Sequence, residues 1–300
     1  MYWNKAIFLD EKYLWAAILC MLALFVIGEG LVRLFGFTQF PLYSLDSLAG
    51  YRMKQSQSGV FRRRSHWAYD KNGMRRREAP LRLERAVILI GDSIVDGGSN
   101  LDQASTICEQ LGARIAQPVY PVAAPGWSLA NALAALPTIK GWEEAGHLVL
   151  ILHESDFDYV AQASSSYGFP TQRAAFMVPW LIRRHLFIRN ANRRGALLKD
   201  DEFPFNPVLR DENIAQLQQL IGRTTAEVIV IRYPKFDAEP EYDKFYGEIC
   251  SAAGATLIDL AKNPSWTEKC YRDAIHPNDL GCAVLADVIK KALEPDVILH

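Results

Sequence analysis

The chain has 300 residues, 50% of them apolar, 22% charged and 11% aromatic, and its 33 Lys and Arg nearly balance 34 Asp and Glu for a net charge of -1. That balance excludes a disordered chain, and ordinary Gly (19) and Pro (15) contents exclude a collagen-like or low-complexity one. No basic surplus points to nucleic acid, and five Cys at these spacings form neither a disulfide scaffold nor a zinc motif.

The first element is an uncharged run from Leu14 to Ile27, extended through Val32 with one acid, Glu29. Its length approaches the roughly 20 residues that span a bilayer. Trp3, Tyr13 and Trp15 before it, and Phe35 and Phe37 after it, suit an interfacial belt. No small-x-small cleavage site follows, because Glu29, Leu31 and Arg33 stand there. An uncleaved single-pass anchor is therefore favoured over a cleaved signal peptide or a buried soluble helix. Lys5 and Lys12 on one side nearly tie with Arg33, Arg52 and Lys54 on the other, so charge does not orient the span. Three regions follow: an anchor at 1–35, an Arg-rich and turn-rich juxtamembrane lead-in at 36–85, and a domain at 86–300.

Five short apolar runs organise that domain: 86–90, 119–124, 147–152, 227–232 and 256–260. Helical patterns alternate with them at about 100–116, from an N-cap at Ser128 to about Leu136, at 212–221 and at 279–293. Doubly apolar strands alternating with helices predict a mostly parallel sheet covered on both faces. Such sheets work at the carboxyl ends of their strands. One basic insertion at 157–206 breaks the alternation. Pro170 to Lys199 carries seven Lys and Arg and no acid, mixed with Phe176, Trp180, Leu186 and Phe187. It reads equally as a helical excursion packed on the domain, a lid, or a surface for anionic headgroups or an anionic substrate.

Three strand ends carry residues able to do chemistry. Ser93 follows the first run in Gly91-Asp92-Ser93, where a helix start gathers backbone N–H groups around the hydroxyl. Gly126 closes the second run, where a glycine lets the backbone N–H approach a substrate oxygen. Asp273 stands three residues before His276, close enough to hold its imidazole in one turn. Each alone reads as an ordinary cap, turn glycine or structural histidine. Together and in this order they resemble the SGNH (GDSL-type) serine hydrolases, through GDS at 91–93, Gly126, and DxxH at 273–276 followed by Pro277, Asn278 and Gly281.

That resemblance covers about 86 to the closing helix outside the insertion. It implies a three-layer flavodoxin-like SGNH fold behind the transmembrane helix, with no cofactor and no metal. It implies Ser93 as nucleophile, His276 as base and Asp273 as its orienting carboxylate. The oxyanion donors would be the N–H groups of Ser93 and Gly126 and the side chain at 155. Here the chain departs from the family's Gly-x-Asn-Asp: it reads His153-Glu154-Ser155-Asp156, with Ser155 in place of the amide donor. The activity implied is a membrane-anchored esterase or deacylase acting on an acylated envelope glycan or lipid, with a domain on the extracytoplasmic face and a possible place in an envelope-biosynthesis complex. An O-acyltransferase of the same fold and a catalytically degenerate glycan-binding or scaffold protein are the alternatives. Cys250 and Cys270 flank the fifth run and would pair only in an oxidising compartment, single thiols being the commoner outcome.

Overall fold

The computed structural model describes residues 11–78, 82–163, 165–193, 207–234 and 243–294. Trp3, Lys5 and the 194–206 part of the insertion lie outside the described residues. The apolar N-terminal run forms one helix, α1 (Glu11–Leu34), of 24 residues. At 1.5 Å per residue it is about 36 Å long, enough by length and composition to cross a bilayer. Its apolar side chains are exposed: Tyr13, Trp15, Leu19, Leu24 and Val26 project from it without a protein core to cover them.

Residues 36–85 are more ordered than their turn-rich sequence implies. Two antiparallel hairpins occupy them, β1 (Tyr43–Asp46) with β2 (Gly50–Met53), and β3 (Gln57–Phe61) with β4 (Ser65–Tyr69). Tyr51, Met53, Trp67 and Tyr69 are buried and join the core of the following domain. The hairpin tip at Arg62 and Arg63 takes positive φ and folds back on the exit of α1. There the Arg62 N–H donates to the Gly36 carbonyl at 3.3 Å, and its guanidinium lies 5.0 Å from the Phe37 ring centre.

The domain itself alternates strands and helices. In chain order come β5 (Val87–Gly91), α2 (Ser93–Asp96), α3 (Ile107–Gly112), β6 (Val119–Ala123), α4 (Leu129–Ala135), β7 (His147–Leu152) and α5 (Met177–Arg193). Then follow α6 (Pro207–Arg223), β8 (Glu227–Arg232), α7 (Asp243–Ala253), β9 (Thr256–Asp259) and α8 (Asp279–Leu293). The five strands make one parallel sheet in the order β6-β5-β7-β8-β9. Pro121, which cannot donate to a ladder, is tolerated because β6 lies at the edge. Alternate strand residues serve opposite faces. Ile88, Ile90, Leu148 and Leu150 pack under α4, α6 and α7, and Val87, Leu89, Val149 and Ile151 pack under α3 and α8. This is a three-layer, flavodoxin-like α/β fold. Its strand order reverses between β5 and β7, so a crevice opens at their carboxyl ends.

The helix anticipated over 100–116 is shorter: a 3-10 turn at Gln103–Ser105 and then α3, each capped by a side chain, Asp102 and Thr106. The one anticipated over 212–221 extends to both sides as α6. The described half of the basic insertion contains α5, whose start docks on the end of α1. Glu29 Oε1 accepts the Val178 N–H at 2.7 Å, Arg33 donates to the Ala175 carbonyl at 2.9 Å, and the Phe25 and Phe176 rings lie 5.5 Å apart. Glu29, an acid inside an apolar run, thus finds its partners in α5 and in Arg33 at 3.6 Å. Cys250 and Cys270 are both free and buried.

Candidate active site

Ser93 opens α2 directly behind β5. The turn is tight because Gly91 has no side chain. A Cβ there would come within 2.7 Å of Val95 Cγ2 and 3.0 Å of the Ile151 carbonyl. Asp92 caps α2, its Oδ1 accepting the Ile94 N–H at 2.8 Å. Underneath, the fully buried Asp96 accepts from Tyr69 Oη at 3.1 Å and faces the Arg75 guanidinium at 3.8 Å. Arg75 is itself buried and donates to the Leu101 carbonyl at 2.8 Å and to Gln103 Oε1 at 3.2 Å. Burial pushes the Asp96 carboxyl upward, and Arg75 offsets only part of that. The hairpins of the lead-in therefore brace the serine turn from below, a role that neither Tyr69 nor Arg75 advertises in the sequence.

The loop between β9 and α8 brings the histidine to that serine. His276 Nε2 lies 3.0 Å from Ser93 Oγ, across 183 residues of chain. Its Nδ1 lies 2.9 and 3.0 Å from the two oxygens of Asp273. A carboxylate only accepts, so Nδ1 carries the proton and Nε2 presents its lone pair to the serine hydroxyl. Burial raises the Asp273 carboxyl, but the N–H groups of His276 and Ile275 and the adjacent ring outweigh it and hold it below its ordinary range. The loop is fastened on several sides. Arg272 donates to the Gly97 carbonyl at 2.9 Å, Tyr233 Oη to the Ile275 carbonyl at 2.6 Å, and Asn278 Oδ1 caps α8 by accepting the Gly281 N–H at 3.0 Å.

Gly126 lies three residues past β6, on one side of β5, at φ +80, where a side chain would be strained and would meet Tyr51 Oη at 3.0 Å. On the other side of β5, β7 leads into His153–Asp158. Ser155 is half-buried, and its Oγ lies 2.9 Å from His153 Nδ1. Nε2 of the same ring faces Asp156 Oδ1 at 3.2 Å and Asp92 Oδ2 at 3.5 Å. Asp156 also accepts the His153 backbone N–H at 2.9 Å. Asp92 Oδ2 in turn lies 3.3 Å from Ser93 Oγ. Burial raises the Asp92 carboxyl, but His153, the Ile94 N–H and His276 together carry it below its ordinary value.

Ser93, His276 and Asp273 thus form one hydrogen-bonded chain, with Gly126 and Ser155 on the loops to either side of β5. The sequence marked His153 only as a departure from glycine; Asp156 stands in its own turn, but Asp92 comes from the loop after β5 and was not foreseeable as its partner. Asp92, His153 and Asp156 bring ligand-type atoms within 4.8 Å of one another. Their contacts are those of one ring nitrogen against two carboxylates. A hollow of about 720 Å³ beside the β3–β4 hairpin, lined by Gln57, His66, Trp67 and Asp70 among others, touches none of the triad.

Comparison with protein-family models and with curated proteins finds no match. Among solved structures, the chain is similar in trace to the lipase/acylhydrolase from Enterococcus faecalis, at 15% identity and a TM-score of 0.46, over 71% of this chain and 99% of that one. It is also similar to TesA, at 17% identity and 0.44 over 70% and 98%, and to the psychrotrophic esterase EstA from Pseudoalteromonas sp., at 15% and 0.42 over 70% and 98%.

Proposed function

We propose that the protein is a membrane-anchored serine esterase or deacylase acting on an acyl ester, with Ser93, His276 and Asp273 as its triad. The observation that carries this reading is the 3.0 Å contact between His276 Nε2 and Ser93 Oγ, with Asp273 on the opposite ring nitrogen. Ser93 Oγ attacks the ester carbonyl while its proton passes to His276 Nε2. Asp273 stabilises the imidazolium that forms. Backbone N–H groups of Ser93 and Gly126, with the Ser155 side chain, receive the negative oxygen of the tetrahedral intermediate. His276 returns the proton to the leaving alcohol, whose C–O bond breaks to leave an acyl-Ser93. Water, deprotonated by His276, then attacks that acyl group and releases the acid and the serine hydroxyl.

Anchoring is supported by the exposed apolar length of α1 and by what surrounds its exit. Arg33, the Arg62–Arg64 hairpin tip and the basic helix α5 all gather there. Cations at that depth favour anionic headgroups, at about 1 kcal/mol for each Lys or Arg near the surface. A tethered domain of this kind suits an acylated envelope glycan or lipid; that substrate calls for the extracytoplasmic face, against the pull of the cations at the helix exit, which favour the cytoplasmic side. Protease treatment of oriented membrane vesicles reads the face directly.

The test is a fluorophosphonate probe on the full chain in detergent, followed by an activated acetyl ester with and without oligosaccharide. Labelling that disappears in Ser93→Ala, with release of free acetate, is the expected result. Acetyl found on the sugar assigns an O-acyltransferase. Folded wild-type protein that takes no label overturns the enzyme and leaves a binding protein.

A further inference from the structure

The site's least usual feature is a histidine whose ring touches a serine on one nitrogen and two carboxylates on the other. His153, Asp92 and Asp156 are 6%, 7% and 2% exposed at their side chains. We infer that His153 is an imidazolium at neutral pH that turns Ser155 into an oxyanion donor, in place of the amide usual at that position. His153 would be a positioning residue, acting through Ser155, and the inference rests on the esterase reading above.

The acceptors nearest Nε2 are carboxylate oxygens, at 3.2 and 3.5 Å, and carboxylates only accept, so Nε2 carries a hydrogen in either charge state of the ring. Nδ1 decides the rest. In a neutral ring Nδ1 is a lone pair and takes the Ser155 hydroxyl hydrogen, so that Ser155 offers only lone pairs to a developing oxyanion. In an imidazolium Nδ1–H donates to Ser155 Oγ, and the hydroxyl hydrogen must point away from the ring. One ring proton thus sets whether the same oxygen repels or stabilises the intermediate. A neutral ring would leave two carboxylates buried together with no counter-charge, whereas a charged one halves the net charge of the cluster. Burial alone disfavours the imidazolium, but the carboxylates at 3.2 and 3.5 Å favour it, and two of them outweigh that penalty.

Among the described residues, the nearby charges have partners of their own. Asp96, beyond Asp92, is matched by Arg75, and Asp158, at the end of the same turn, is held by Arg210 at 2.6 Å. His276 faces Asp92 from the α8 side and is itself bound to Asp273. The phenols of Tyr51, Tyr159 and Tyr233, which also face Asp92, are pushed far above neutrality by burial and stay uncharged.

The decisive experiment is the pH dependence of kcat/KM on an activated acetyl ester, using the full chain in detergent. Wild-type activity falls at alkaline pH as His153 loses its proton. Ser155→Asn, whose amide donates at any pH, loses that alkaline fall whatever its absolute rate. Ser155→Ala lowers kcat by about 100-fold with KM nearly unchanged, the scale of one lost oxyanion donor. An alkaline fall that persists in Ser155→Asn overturns the inference, as does a Ser155→Ala protein with wild-type kcat. Nitrogen-15 spectra of the histidine rings in Ser93→Ala provide a readout that needs no turnover: both His153 nitrogens protonated at neutral pH support the inference, and one bare nitrogen overturns it. Fluorophosphonate labelling of wild type separates the two levels. A labelled enzyme with a neutral His153 sinks this inference alone, while an unlabelled one sinks the esterase reading itself.

Discussion

Two histidines in this molecule are built from the same parts and set in different surroundings. His276 has one carboxylate and a serine, with side chains 28% and 50% exposed for His276 and Asp273. His153 has a serine and two carboxylates, and the ring and both carboxylates are nearly sealed from water. A single, half-solvated carboxylate orients an imidazole and leaves it able to accept and return a proton. Two buried carboxylates hold the proton in place. Number of partners and burial, rather than residue type, separate a working base from a fixed charge.

The largest effects fall on the His276 side. Ser93→Ala or His276→Ala should each lower kcat by about 10⁴-fold or more, the scale of losing one member of a triad that acts as a unit. Asp273→Asn should come close to the same loss, because an amide no longer dictates which ring nitrogen is protonated. Single-turnover kinetics on the activated ester check all three. A triad variant with near wild-type acylation would dissolve the comparison, since His276 would then be no base.

Stability should sort the two histidines the other way. His153→Ala leaves Asp92 and Asp156 buried without their counter-charge, a loss of about 3–5 kcal/mol by the scale for broken buried pairs. His276→Ala removes a partly exposed pair, for which about 1 kcal/mol or less is the measure. Urea unfolding of the two variants beside wild type decides it. Equal losses would mean that the His153 cluster is hydrated and holds no special charge.

Much of this was legible along the chain, for reasons that also mark the limit. Strands β5 to β8 are buried on both faces over nearly their whole length, so each reads as an apolar run, and 147–152 and 227–232 coincide with β7 and β8. Ser93 and the Asp273–His276 pair are local motifs at strand ends, and their meeting follows once the sheet is parallel. The hairpins β1 to β4 were hidden because their strands are only four or five residues long, and the β3–β4 turn places Arg62 and Arg63 at positive φ without the usual Gly or Asn. Their core residues Tyr51 and Trp67 carry no period of their own. His153 was visible as an oddity, but its meaning depends on Asp92 arriving from another strand, a distance the sequence does not hold.

The smallest predicted effect concerns acid. Asp92 and Asp273 both sit below their ordinary carboxyl range when folded. The unfolded chain therefore takes up protons first as pH falls, so these groups add stability above the unfolded value of about 3.9. That stability is lost progressively as pH drops through their lowered folded values. Replacement should flatten the acid limb, and by different amounts. Asp273 is half exposed, so Asp273→Asn should change the slope of unfolding free energy against pH only slightly. Asp92 is buried against His153, and Asp92→Asn should change it more, with a lower plateau at neutral pH because the cluster loses one of its two anions. Urea midpoints between about pH 3 and 6 give both slopes. If Asp92→Asn and wild type run parallel, the Asp92 carboxyl is ordinary, and the difference between the two histidine sites rests on Asp156 alone.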